Sequence, residues 1–166
     1  MSKLHSVATE HYMNTQRVLG DHVYAAASVI PAGRAFDLVA SRYSHSVALA
    51  SRFYNLMSVS SGNSGMKKFP HMSISPDHID NALAKAGPGQ LPGAVQSLIL
   101  SGGRDLITQT SEIDPLAEGW DWVMEPEACD YCASKAGPGT GDFRAHYSCG
   151  CIAAPRFTES KTISTG

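Results

Sequence analysis

All four cysteines of this 166-residue chain fall within one stretch, "CDYCASKAGPGTGDFRAHYSCGC", running from Cys129 to Cys151. Cys129 and Cys132 are separated by two residues, and His146, Cys149 and Cys151 follow after the excursion "ASKAGPGTGDFRA". A Cys-x2-Cys knuckle lets two thiolates converge on one ion, and a Cys/His pair from a distant turn completes a tetrahedron. Zinc suits such a mixed sulfur and nitrogen set because it imposes no geometric preference of its own. Five residues thus compete for four positions: Cys129, Cys132 and His146 by spacing, with Cys149 and Cys151 as alternatives for the last. Oxidised pairing of Cys129 or Cys132 with Cys149 or Cys151 is a second reading, and unmetallated thiols are a third. The expected cofactor is a structural zinc ion.

The rest of the chain frames that cluster. A single domain of roughly 150 residues buries about 68–70% of its unfolded surface, so it folds without covalent staples. Hydrophobic residues make up 43% and charged residues 17%, which fits a folded chain and excludes global disorder. The net charge of −2 leaves no basic footprint for nucleic acid. "MSKLHSVATEHYMNTQR" has no apolar core of the kind a secretory signal needs, and "VYAAASVI" is too short to span a bilayer. A protein made in a cytoplasm is expected, with no membrane partner and with thiols kept reduced for metal.

Helical signals dominate the first two thirds. Residues 1–57 read as a segment of two helices, the first from Leu4 to about Ile30 and ended by Pro31 and Gly33. In the second, Phe36, Val39, Tyr43, Val47, Ala50, Tyr54 and Met57 recur every three or four residues and share one face. That stripe requires a partner, either within the chain or outside it. Residues 58–72, which include "SVSSGNSGMKKFP", read as a linker, and residues 73–115 as a second helical segment. There Ser75 caps, Pro76 suits the first turn, Asp77 complements the dipole, and Gly87-Pro88 closes a short helix. A longer helix follows from about Pro92 to Gln109, interrupted by Gly102-Gly103, which demands either a bend or a close neighbour. Residues 116–157 form the Cys/His element, in which "GWDWVMEP" and "CIAAPRF" read as short strands, and residues 158–166 form a tail. The fold class expected is mainly α, a helical N-terminal part with a small C-terminal α+β zinc-bound element.

No catalytic constellation emerges. None of the seven histidines is followed two residues later by glutamate, as a zinc deaminase requires, and His-Glu-x2-His is absent. Four protein ligands leave no open position for water. "PDHID", at Pro76 to Asp80, suggests a His-Asn-His nuclease but lacks the downstream histidine, so Asp77 and His78 read as a helix start. "SGGR", at Ser101 to Arg104, offers a weak phosphate-cradling turn. The chain is expected not to be an enzyme.

The ending of the chain resembles the C-terminal signature of tailed-phage minor head proteins. These are the Mu F-like head morphogenesis proteins and related capsid-associated structural proteins of actinobacterial phages. The matching residues are Gly119, Trp120, Trp122 and Val123, then Cys129 and Cys132, then Phe143, Ala145, His146, Cys149, Cys151, Pro155 and Phe157, with "SGGR" preceding them. The resemblance implies a minor structural protein of a phage head, acting in capsid assembly near the portal or inner shell. Portal and major capsid protein would be its partners, with packaged DNA a weak one. Several copies would sit in the virion after synthesis in the host cytoplasm. Read from the residues alone, Arg144, Arg156, Phe143, Tyr147 and Phe157 around the cluster also suit a zinc-knuckle nucleic-acid-binding module. A transient assembly factor is the remaining alternative.

Overall fold

The computed structural model describes residues 3–158, so most of the expected tail lies outside the described residues. The chain is mainly helical with a small antiparallel sheet at its C-terminal end. Two long helices, α1 (Lys3–Val29) and α2 (Ala35–Ser60), are joined by a 3-10 turn at Ala32–Arg34. A stretch without helix or strand leads to α3 (Pro76–Ala84) and then α4 (Leu91–Ile113). The strands are β1 (Ala117–Val123), β2 (Gly137–Pro138) and β3 (Ile152–Phe157), with a one-turn helix α5 (Asp130–Ala133) between the first two. No helix among the described residues is long and apolar enough to cross a membrane.

The apolar stripe of α2 finds its partners inside the chain. Val39, Tyr43, Ala50, Tyr54 and Met57 are buried, while Phe36 and Val47 pack at the margin. Tyr43 meets α4 at Gly102, Ser46 meets it at Gly103, and the Tyr54 hydroxyl donates to Asp114 at 2.9 Å. These contacts run in the same order along both helices, so α2 and α4 are parallel. Contacts of Tyr12 and Gln16 with Gly103, and of Gly20 with Leu100, run in reverse order and make α1 antiparallel to both.

Gly102 and Gly103 resolve as a close approach within one continuous helix. A Cβ on Gly102 would lie 3.0 Å from the Tyr43 ring, and one on Gly103 would lie 2.8 Å from Gln16 Nε2, Ser46 Oγ and Tyr12 OH. A buried polar knot forms there. Gln16 Nε2 donates to Tyr12 OH (2.9 Å), Ser46 Oγ donates to Gln16 Oε1 (3.2 Å), and Gly103 N donates to Ser46 Oγ (3.0 Å). Because each of these groups has a partner, burying them is tolerated.

The knot separates two apolar clusters. One joins Val23 and Ala27 of α1 to Val39, Ile79, Val95 and Ile99. The other joins Ala8 and Tyr12 to Phe53, Tyr54, Leu106, both tryptophans, three cysteines and most of β3. The C-terminal element therefore shares a core with the helices.

Local signals act as the sequence suggests. Ser75 Oγ accepts from His78 N at 3.2 Å and Pro76 opens α3. Helix α4 runs four residues past Gln109, until Pro115 forces Asp114 into extended backbone (φ −80, ψ 111). Asp114 Oδ1 then accepts from Leu116 N at 3.0 Å, turning the chain into β1. Residues 61–75 have no regular structure, yet Met66, Phe69 and Met72 pack against the larger core.

Candidate metal centre

Strands β1 and β3 pair antiparallel, with Trp122 opposite Ala153 and Val123 opposite Ile152. β2 adds to the other edge of β1, a strand of Gly and Pro that carries no sequence pattern. Its role is to return the excursion to the sheet, where Gly139 N donates to Trp120 O at 2.9 Å. Gly139 lies flat on the Trp120 ring, and any side chain there would collide with it. The loops leaving β1 and entering β3 are thereby brought together, and all five expected ligands sit where they meet.

Two triads of donor atoms emerge, each with its ligand atoms within 4.8 Å of one another: Cys129, Cys132 and His146, and Cys132, Cys149 and Cys151. Cys132 belongs to both. His146 Nε2 lies 3.1 Å from Cys129 Sγ and 3.3 Å from Cys132 Sγ, and Cys132 Sγ lies 3.5 Å from Cys149 Sγ. A tetrahedron with Zn–S of about 2.3 Å and Zn–N of about 2.0–2.1 Å has edges of about 3.5–3.8 Å. These three distances stand within about half an ångström of that spacing. All four cysteines are free thiols.

The donor set fits a soft or borderline metal ion in other respects as well. His146 Nδ1 lies 2.7 Å from Tyr147 O. A carbonyl only accepts, so Nδ1 carries the proton and Nε2 presents a bare lone pair to the sulfurs. The backbone N–H of Cys132 turns toward Cys129 and is the main cause of that thiol's lowered pKa. Burial drives Cys132 up to about 12. Cys149 is raised because it keeps its proton for a hydrogen bond to Cys151, with burial adding to the effect. Cys151 is held down to about 6, chiefly by that same bond, with help from the Glu125 backbone N–H. The Trp122 indole N–H, buried without a hydrogen bond of ordinary geometry, also favours the Cys151 thiolate. Cys132, Cys149 and Cys151 are buried, whereas Cys129 and His146 face solvent, which leaves one side open for an ion to arrive.

Two features behind the cluster were not foreseen. The "SGGR" segment is helix interior, and its Arg104 reaches the ligand loop. Arg104 Nε donates to Cys151 O at 3.1 Å and NH2 donates to Cys149 O. The guanidinium also stands over the Phe143 ring (5.2 Å), which stacks on Trp122 at 3.7 Å. Nearer the start of α4, Gly93 lies against the Tyr147–Ser148 turn, where Ser148 takes the left-handed conformation (φ 58). Only the position of "GGR" ahead of the tryptophans hinted at this support.

The other expected residues lie elsewhere. Asp77 and His78 are exposed on the first turn of α3, and neither joins a metal-competent group among the described residues. Phe143 and Phe157 are buried, the latter edge-on to Tyr54, and Arg156 is paired with Asp121 and Glu118. Arg144 and Tyr147 remain at the surface. No family profile, curated protein or solved structure matches this chain.

Proposed function

We propose that the chain is a minor structural protein of a tailed-phage head, acting in capsid assembly near the portal or inner shell. Its Cys/His cluster binds one zinc ion, with Cys129, Cys132 and His146 joined by Cys149 or Cys151. The observation that carries the reading is the shared core: the metal-ready loops lie against the same residues that hold α1, α2 and α4 together. An ion there makes a rigid wedge on a helical body, as a structural component needs, and four protein ligands leave no site for chemistry. The Trp-x-Trp, Cys-x2-Cys and His-x2-Cys-x-Cys order supports the phage assignment by resemblance. Quantitative mass spectrometry of purified particles, counting this chain against the portal and major capsid protein, tests it. A fixed copy number is expected, and absence from the particle would overturn it.

A second reading has one observation in its favour. A pocket of about 490 Å³ beside the cluster is lined by Trp120, Trp122, Tyr131, Lys135 and Arg144, a mixture suited to a single-stranded nucleic acid. Phe143 already stacks on Trp122, and Gly139 covers Trp120, so Tyr131 is the aromatic ring of that pocket left for a base. Salt-dependent binding to single-stranded DNA would favour this alternative.

A further inference from the structure

Away from the cysteines, a recess of about 350 Å³ lies where α2, α3 and α4 meet. Its polar lining is Tyr43, Ser73, Ser75, His78, Ser101 and Asp105. Two of these groups are already engaged: Ser75 Oγ accepts from His78 N, and Ser101 Oγ donates to Leu98 O at 2.7 Å. Two others stand open. Tyr43 is only 6% exposed, yet its hydroxyl makes no hydrogen bond among the described residues. The Asp105 carboxyl likewise accepts no hydrogen bond and joins no ion pair among them. Gly102 lets the Tyr43 ring lie against α4, next to Ser101 and one turn before Asp105. Buried polar groups are ordinarily bonded, so a phenol and a carboxyl left open onto one recess point to a group that arrives from outside.

We propose that this recess binds a small organic cation through a primary ammonium, held by the Asp105 carboxylate and the Tyr43 hydroxyl. An ammonium carries three donors and no acceptor, and the carboxylate, the phenol oxygen and the Ser73 hydroxyl all accept. Charge-assisted bonds are about twice as strong as neutral ones, which favours a cation over an uncharged alcohol. No lysine or arginine among the described residues lines the recess. Arg104, the neighbour of Asp105, turns its donors to the Cys149 and Cys151 carbonyls, and His78 faces Asp105 without forming an ion pair. Asp142, on the excursion, adds a second negative charge within reach of Asp105 and disfavours an anionic ligand. Ile74 supplies an apolar wall for an alkyl chain. None of the candidate metal ligands lines this recess, so the proposal stands apart from the metal reading.

The test uses the full chain with its thiols reduced, and follows backbone amide resonances as butylammonium chloride is added at constant ionic strength. Saturable shifts at residues 73–78 and 101–105 are expected, with a dissociation constant of about 1 mM or below. Butan-1-ol keeps the alkyl chain without the charge and should move the same resonances little. Asp105→Asn preserves the shape of the side chain and should weaken butylammonium binding about 10–100-fold. Tyr43→Phe removes only the hydroxyl and should weaken it about 2–10-fold, and the unliganded spectra report that both variants are folded. Equal binding of butan-1-ol would overturn the choice of a cation. Unchanged affinity in Asp105→Asn would overturn the assignment to this recess. An absence of saturable shifts with butylammonium would overturn the proposal entirely and leave the recess to solvent.

Discussion

Cys132 is the residue on which both donor triads depend, so its replacement is the sharpest local test of the site. Cys132→Ser should take bound zinc from one ion per chain to none, read by elemental analysis of the purified protein. Cys149→Ser and Cys151→Ser should divide, one losing the ion and the other keeping it. The knuckle and the His-x2-Cys pair were legible because ligands that share an ion sit close in sequence. Arg104 was not legible: its partners are backbone carbonyls 45 and 47 positions away, and carbonyls carry no sequence signature. Asp105 gives a pH prediction at the same scale. Burial, with repulsion from Asp142, raises its pKa from 3.8 to about 6. The folded state therefore holds more protons than the unfolded one between those values, and stability falls as pH rises through that window. Asp105→Asn should stabilise the protein at pH 7 by about 1–2 kcal/mol, allowing for solvent access to the carboxyl, and flatten the profile between about pH 4 and 6. Denaturant titrations at both pH values measure it.

Among the elements, α4 does most to organise the molecule. It lies against α1 and α2 on one side and the ligand loops on the other, with Gly93, Gly102 and Gly103 giving three close approaches. Helix propensity alone says that Gly103→Ala stabilises by about 1 kcal/mol. Packing says the reverse, because the added methyl would press on Gln16, Ser46 and Tyr12 at 2.8 Å and open the polar knot. Overpacking of this kind costs about 1–3 kcal/mol, so the expected sign is destabilising, and chemical denaturation decides it. The sequence raised the choice between a bend and a neighbour, since two glycines in a helix need a reason. It could not name the neighbours, because Gln16 and Ser46 look like ordinary surface residues in their own helices. The short helix α3 was readable to its cap because capping is local. Ser75→Ala should cost about 1 kcal/mol of stability in the same assay. Strand β2 escaped notice for the opposite reason: Gly-Pro pairs with β1 through backbone alone.

For the whole molecule, the shared core would couple an ion held at the cluster to the entire fold. Cys132, Cys149 and Cys151 are packed in the cluster that holds Tyr12, Phe53 and Leu106. Removing the ion should lower the melting temperature of the entire domain in one transition. With free zinc at about 1,000 times its dissociation constant, the loss is about 4 kcal/mol. Calorimetry with and without chelator would show it, and a helical transition unmoved by chelation would contradict the shared core. Mainly helical architecture was readable from periodicity, and the in-chain partner of the α2 stripe was not, because amphipathic faces do not name what covers them. The same core sets an order on synthesis. Ala8 and Tyr12 leave the ribosome well before Cys151, Ile152 and Phe157, which share their cluster. The nascent helices must wait with an apolar side uncovered until β3 is out, so its arrival marks the moment at which that side becomes safe from premature association.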